Sequence, residues 1–439
     1  MPGPAGRAIS PGSVPDRPTL YAVDFGTSNS LLAAASAERT FPPVPLDPDA
    51  SDPTVLRSIL CFPDEGGAFV GAAALTQYVE HGGEARLLRS VKHHLGSKNF
   101  RGTVVRGRMV SAEDLVAHLL RTMRERADRH FGVEVKRALL GRPVHFQGED
   151  DAFAEGRLRR AAEAAGFDEV RFLPEPIAAA RAFGAATARE ELALVGDFGG
   201  GTSDFTVLRL APGDAAGGDV LAVGGVGIAG DALDASIMRE RVSRHFGAEV
   251  QYRVPFGKNV LTMPSGVMSH LLSPAHLSML QRRDVASFLD DVRRWSLGAD
   301  DERRMDQLRV LVEDTQGFAL FEAIEQAKRA VSEAEKTVVR FEYADIDVRE
   351  PLTRRAFEQG SQREVDAILG CLDATLAEAG VSPGEVTVVC CTGGTARVPR
   401  IAAELRRRLP SARIEQFKGF HAVVEGLAEE ARAIEAGRR

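Results

Sequence analysis

The run Gly196–Leu210, GDFGGGTSDFTVLRL, interrupts a strand-like apolar segment with three consecutive glycines, two hydroxyls and two acids. That composition packs poorly but wraps well around an anion. Glycine lets the main chain approach closely, and successive backbone N–H groups form anion-binding nests. A second copy stands near the start, where Asp24-Phe-Gly-Thr-Ser-Asn29 repeats the pattern of Asp197–Asp204 with two fewer glycines. Either copy alone would read equally as a bulged tight turn. Two copies, about 170 residues apart, imply duplication of a strand–turn–strand unit. Two such turns facing one another can hold one polyphosphate between them, and their acids are the hard oxygen donors that suit a magnesium ion.

The flanking sequence must position these turns, and it alternates strand and helix. ELALV before the second turn and FTVLRL after it are rich in strand-favouring residues. Ser111-Ala-Glu-Asp114 carries capping-box chemistry ahead of a stripe of Leu115, Leu119, Leu120 and Met123. RALLGRPVHF (137–146) reads as a strand running into a loop, RLRRAAEAAGF as a helix ended by Gly166, and EVRFLPEPIAAARAFG as strand, turn and helix with Glu175 at the turn. Phe321–Thr337 reads as a helix, with Leu320, Ile324, Ala327 and Val331 in one stripe. Glu325, Lys328, Arg329 and Ser332 share its other face, which by itself reads as solvated with a Glu–Arg pair at i, i+4. EVTVVCCTGGTARVPRIAAELRRRL (385–409) is strand, Gly-Gly turn and helix; a flat ligand could lie on the bare backbone there, with Arg397 stacked upon it. This alternation predicts α/β layers. From about 243 to 315 the texture becomes helical and charged, with a turn-rich loop at VPFGKNVLTMPSG, which reads as an inserted element without assignable chemistry. The one tryptophan, Trp295, falls there and reads as a packing residue.

With 439 residues the chain can build two or three domain-sized units. A net charge of −7 argues against a general nucleic-acid binder. No apolar run is long enough to span a bilayer. The first seventeen residues are rich in Pro, Gly and Ala without a signal peptide's apolar core, and read as a disordered leader. Cys61, Cys371, Cys390 and Cys391 show no C-x-x-C spacing, which fits buried thiols in a reducing compartment. The adjacent pair would face opposite sides of a strand. The expectation is a cytoplasmic protein without nucleic-acid or membrane partners. Gly225–Gly230 satisfies G-x-G-x-x-G, but lies mid-chain, whereas a Rossmann domain places that fingerprint in an early βα unit. P-loop, G-x-S-x-G and H-E-x-x-H motifs are absent. His93-His94 lacks a third ligand at recognisable spacing, and Arg406–Arg408 reads as a solvated helix face.

Five stretches in fixed order, YAVDFGTSNS, FLPEPIAAARAFG, VGDFGGGTSDFTV, IEQAKRAVSEAEKT and CTGGTARVPRI, resemble the nucleotide-binding domain of the heat-shock-protein-70 (DnaK) family. They correspond to its phosphate loops, connecting helix, adenosine-contacting helix and adenosine loop. The likeness covers nearly the whole chain after residue 18, and the insert with PFGKNVLTMPS is most similar to the YegD-like branch. The fold so implied is an α/β, actin-like ATPase with ribonuclease-H-like duplicated lobes and nucleotide in the inter-lobe cleft. Residues 18–190 would form the first lobe, 191–399 the second with its insert, and 400–439 helices returning to the first.

The resemblance further implies ATP or ADP with Mg2+, and optionally K+, as cofactors. Asp24, Gly26, Thr27, Ser28 and Asn29 would form the first phosphate loop; Asp197, Gly199, Gly200, Gly201, Thr202 and Asp204 the second. Gly230, Glu325, Lys328, Arg329 and Ser332 would cradle the nucleoside, with Gly393, Gly394, Thr395 and Arg397 closing the other side. Asp24, Glu175, Asp197 and Asp204 would serve the metal. Lys92 in SVKHHLG matches the family's catalytic lysine, and with Glu175, Thr202 and Asp204 completes the implied catalytic set. Either Glu175 or Asp204 would orient a water attacking the γ-phosphate, in slow turnover that drives a conformational switch. Two departures stand out. Ala229 and Ala232 replace a glycine and an acid in the family's G-G-E-D-F-D pattern, and GFHAVVEGLA lacks the family's aspartate. The end at Arg439 is expected to leave the chain without its own peptide-binding domain, making it a chaperone-like switch acting with an unknown protein partner or client. A small-molecule kinase of the same fold would need an acceptor pocket and a carboxylate base; an ATP-gated scaffold like the bacterial actins is the other alternative.

Overall fold

The computed structural model describes residues 17–81, 85–146, 150–184, 189–211, 218–255, 257–273, 276–416 and 421–437. Apart from Arg17, the expected leader lies outside them. Two sheets, one of six strands and one of five, share a five-strand topology, the extra strand Leu56–Arg57 pairing with Asn29–Ala35 in the first. The first runs Glu169–Pro174, Arg137–Arg142, Leu20–Phe25, Asn29–Ala35, Thr40–Phe41. The second runs Arg413–Gln416, Val388–Thr392, Glu191–Phe198, Ser203–Leu210, Asp219–Val226. In each, the first three strands are parallel and the rest antiparallel. The repeated turn occupies the same position in both, joining the central strand to its antiparallel neighbour, as a duplicated unit requires.

Alternation along these strands feeds separate cores. Tyr21, Val23 and Phe25 point to the first sheet's outer core beneath the helices Ala112–Phe131 and Asp151–Ala164. Leu20 and Ala22 point the other way, into a core shared with Ala193, Val195 and Leu208 of the second sheet. Cys390 lies in the shared core and Cys391 in the second sheet's outer core, so the adjacent thiols do face opposite sides; all four cysteines are free. Two helices fill the space between the sheets. Glu175–Gly184 packs on the second sheet and His421–Glu435 on the first. They cross closely because Gly426 presents no side chain, a Cβ there falling 1.7 Å from the Ala178 carbonyl oxygen. A buried Arg181–Glu430 ion pair ties them together. This arrangement aims both turns at the same space.

The helix Ala112–Phe131 begins with the predicted capping box between Ser111 and Asp114. Three expectations are corrected. The helix expected over 321–337 spans Gly317–Glu333, because Thr337, Val338 and Val339 are β-favouring and join the strand Lys336–Tyr343. The boundary expected at 399 falls inside a continuous unit: the helix Pro399–Arg408 buries Ile401 and Leu405 in the second core, and the strand after it completes the second sheet. Only the last helix returns to the first sheet. The inserted region is not wholly helical, since Gln251–Tyr252 pairs with Leu261–Thr262 ahead of the helices Arg283–Arg294 and Asp301–Glu313. It packs Val250, Met263, Leu271, Val292 and Leu308 into the second core, with Trp295 half-buried against them. Among the described residues no helix is long and apolar enough to cross a membrane.

Candidate functional site

The first turn is closed by pairing of Phe25 with Ser30, the second by Phe198 with Ser203. Ser58 braces the first, donating its hydroxyl to the Gly26 carbonyl at 2.8 Å. Within the second, the Gly199 N–H donates to the Thr202 carbonyl at 2.9 Å. The two turns touch: a Cβ on Gly200 would lie 2.5 Å from Ser28 Oγ. The structure thus brings together Asp24–Asn29 and Asp197–Asp204, which the chain holds far apart.

Around them the fold gathers charge. Glu175 is the first residue of the helix Glu175–Gly184, and Lys92 stands in a short turn, Val91–Gly96, entered through a left-handed Ser90 at φ 55°. Lys92 Nζ donates to Glu175 Oε1 at 2.6 Å, and both side chains are buried. Burial alone would lower the lysine's pKa, but Glu175, Asp24 and Asp197 overcome it and hold the ammonium above its usual value. The acids move the other way. Burial, then Glu175, drives the Asp24 carboxyl well above the normal range, only partly offset by Lys92. The same two causes push Asp197 up to about 6, against a hydrogen bond from Thr392 Oγ1 at 2.6 Å. Asp204 is raised well above normal by burial, Glu175 and Asp197, with the nearby Thr202 hydroxyl pulling it back. Neither of its carboxylate oxygens accepts a well-formed hydrogen bond among the described residues. Four carboxylates therefore share one lysine, an arrangement that calls for a further cation. Their oxygens suit a hard divalent ion. Among the described residues no three His, Cys or acidic side chains converge closely enough to chelate a metal directly.

The nucleoside side is partly assembled. Lys328 Nζ donates to the Gly230 carbonyl at 3.0 Å and to Asp234 Oδ2 at 2.8 Å. Thr395 Oγ1 donates to the Gly199 carbonyl at 2.9 Å, locking the Gly393–Thr395 turn to the second glycine turn. Gly393 needs its φ of 81°, and a Cβ there would meet the Phe198 carbonyl oxygen at 2.0 Å. Glu325 and Arg329 pair at 2.5 Å and line a small cavity with Thr27, Ser28 and Asn29, so the helix Gly317–Glu333 meets the first turn. Ser332 bonds back to the Lys328 carbonyl, and Arg397 is exposed at the end of its turn, apart from this group.

Sequence reasoning missed three participants. Thr392 orients Asp197, and its place just before Gly393-Gly394 was the available signal. Asp234 is buried beside Lys328, and burial raises its pKa to about 6 despite that lysine. His93, set aside for lack of metal-ligand partners, packs against the second turn: a Cβ on Gly201 would fall 1.7 Å from His93 Nε2. Its adjacency to Lys92 was the clue. Gly225 is a strand residue and Gly230 opens the helix Gly230–Ile237 by donating its N–H to the Gly199 carbonyl, so the G-x-G-x-x-G match serves the glycine turn instead of an early βα unit.

The family model described as Hsp70 protein matches residues 98–249 and 306–432. The chain is 24% identical to the chaperone protein DnaK of Thermosipho melanesiensis over 95% of its own length and 59% of the relative's. It is also 24% identical to the chaperone protein DnaK of Halobacterium salinarum, over 88% of its length and 51% of the relative's. The chain thus spans between half and three fifths of the curated relatives it matches. With matched segments on more than half of its residues, across both sheets and the helix between them, the chain belongs to the Hsp70 family.

Proposed function

We propose that this protein binds ATP with Mg2+ between its two lobes and hydrolyses it slowly, as an ATP-driven, chaperone-like switch. The observation that carries the reading is the crowding of Asp24, Glu175, Asp197 and Asp204 around Lys92, between two touching glycine turns. Backbone N–H groups of Gly26–Ser28 and Gly200–Thr202 would bind the phosphates. Lys92 would meet charge developing on the transferred phosphoryl oxygens, while Glu175 fixes the lysine's position. Asp204, unbonded and with a raised pKa, is the group best placed to orient the attacking water and hold its proton. Magnesium, bound through its water shell, would supply positive charge shared by the carboxylates and the phosphates. Lys328, Glu325, Arg329 and the Gly393–Thr395 turn would hold the nucleoside. Most of the insert lies between the two matched segments, and its PFGKNVLTMPS stretch is the feature on which we place the chain in a YegD-like branch.

The test is ATP hydrolysis by the purified chain with magnesium, beside Asp197→Ala, with ATP binding followed in parallel. Slow turnover lost in the variant is the expected result. Failure of the unaltered chain to bind ATP would sink the reading.

A further inference from the structure

Beside the phosphate turns lies a cavity of about 510 Å3, within the range of about 300–1,000 Å3 usual for small-molecule sites. Of all residues expected to touch nucleotide, Gly201 alone lines it. The cavity therefore abuts the second glycine turn and shares His93 and Asp234 with the edge of the candidate nucleotide site, while Glu325, Arg329 and the Gly393–Thr395 turn lie outside it. Besides Gly201, its walls draw on the segment holding Ser90 and His93, the half-buried Ala232 and Ala235 of the helix Gly230–Ile237, Leu272 and Ser273 of the inserted region, and Phe321.

The lining mixes donors, acceptors and apolar surface. Arg89 presents a guanidinium whose Nη1 makes no hydrogen bond among the described residues and stands 3.8 Å from Glu322. Asp231 is a carboxylate acceptor, 3.9 Å from His93 Nε2. Asp234 is bonded by Lys328, Arg89 stands beside Glu322 and Asp231 faces His93, so the charged groups of the lining are each balanced and the cavity is near neutral. Ser90 and Ser273 add hydroxyls, and Phe321 and Leu272 add apolar surface. A strong anion would meet Asp231, and a cation would meet Arg89. A hydroxyl suits both, since it accepts from a guanidinium and donates to a carboxylate. The C–H faces of a compound bearing several hydroxyls would rest on Phe321 and Leu272.

We propose that this cavity binds a neutral polyhydroxylated small molecule, of the sugar or sugar-alcohol class, against the second glycine turn. The site goes beyond the nucleotide reading and needs no bound ATP. It is tested on the full chain without nucleotide, using D-glucose, D-mannitol, trehalose and glycerol as probes in calorimetric titration and saturation-transfer NMR. Saturable binding of at least one probe is expected. Ala232→Phe and Ala235→Phe each direct a ring toward the cavity, and each should weaken that binding about tenfold or more, about 1.4 kcal/mol. Neither alanine belongs to the nucleotide set, so ATP binding by the same samples reports whether each variant is folded. Should both fail to fold, a crystal of the unaltered chain soaked with the bound probe decides by where the probe lies. No saturable binding by any probe, binding indifferent to both rings, or a probe seated elsewhere overturns the proposal. Probe binding here with no ATP binding would refute the nucleotide reading alone.

Discussion

Replacing Lys92 with methionine removes the only cation of the acidic cluster while keeping the side chain's length. Lys92 Nζ lies 2.6 Å from Glu175 Oε1, and each side chain is 8% exposed, so solvent screens the pair little. Removing one partner of such a buried pair costs about 3–5 kcal/mol. The orphaned carboxylate has an escape, which is to take up a proton. With an unfolded-state pKa of about 4.3 and about 1.36 kcal/mol per pH unit, that escape caps the loss at about 5 kcal/mol at pH 8 and about 2 kcal/mol at pH 6. The sign follows from linkage: Lys92 lowers the pKa of Asp24, Asp197 and Asp204, all raised by burial, so without it the folded state binds more protons and stability falls as pH rises. Urea unfolding followed by circular dichroism, without nucleotide or magnesium, should therefore show a deficit of about 3–5 kcal/mol at pH 8 that shrinks to about 2 kcal/mol at pH 6. Adding Glu175→Gln to Lys92→Met should restore about 2 kcal/mol or more at pH 8, because the amide leaves no buried charge. An equal deficit at both pH values, or a double variant as weak as the single, would refute the claim that Lys92 offsets the buried carboxylates.

Asp204→Asn should raise the nucleotide-free stability at pH 8 by about 1–2 kcal/mol, since it removes a buried carboxyl crowded by Glu175 and Asp197. The same change should slow ATP hydrolysis about a hundredfold; lower stability than the unaltered chain counts against the crowding argument. Burial raises the folded pKa of Asp234 to about 6, against about 3.9 in the unfolded chain, so its contribution declines by about 3 kcal/mol as pH rises from about 4 to about 6. Lys328→Ala should extend that decline above pH 6 and weaken ATP binding about tenfold, read by urea unfolding across pH and by ATP titration. Gly393→Ala sets a Cβ 2.0 Å from the Phe198 carbonyl oxygen at φ 81°, and should cost about 3 kcal/mol or more in thermal or urea unfolding. Gly394→Ala, whose Cβ meets nothing within 4 Å, should stay within about 0.5 kcal/mol.

Lobe closure around a ligand would use contacts already present between the two halves. Arg57 bonds Glu322 at 2.9 Å, and the Tyr78 hydroxyl donates to the Thr315 carbonyl at 2.7 Å, joining the first lobe to the start of the helix Gly317–Glu333. The same helix carries Glu325 and Lys328 on its next turns, so a nucleoside held there would be sensed at the seam. Its polar face is a case in which sequence and structure diverge in meaning. Read alone, Glu325 to Ser332 is a solvated stripe; in the fold, Lys328 is drawn inward by Asp234 and the Gly230 carbonyl, while Glu325, half-buried and paired with the exposed Arg329, faces the first turn.

The two glycine turns, the strand ladders that carry them and the helical stripe Leu320, Ile324, Ala327 and Val331 are written locally, in glycine content, β-branching and periodicity. These are properties of neighbours in the chain, and the repeat of Asp-Phe-Gly announces the duplicated lobes. What tertiary structure alone decides is which distant groups share a low-dielectric space. Lys92 meets Glu175 across 83 residues and Thr392 meets Asp197 across 195. No periodicity encodes those encounters, because they depend on the two sheets and their crossed helices converging on one cleft. The raised carboxyl pKa values follow from that convergence, since only burial and mutual approach make one carboxylate feel another. The sequence therefore named most of the groups able to do chemistry, and the packing of the lobes made them a site.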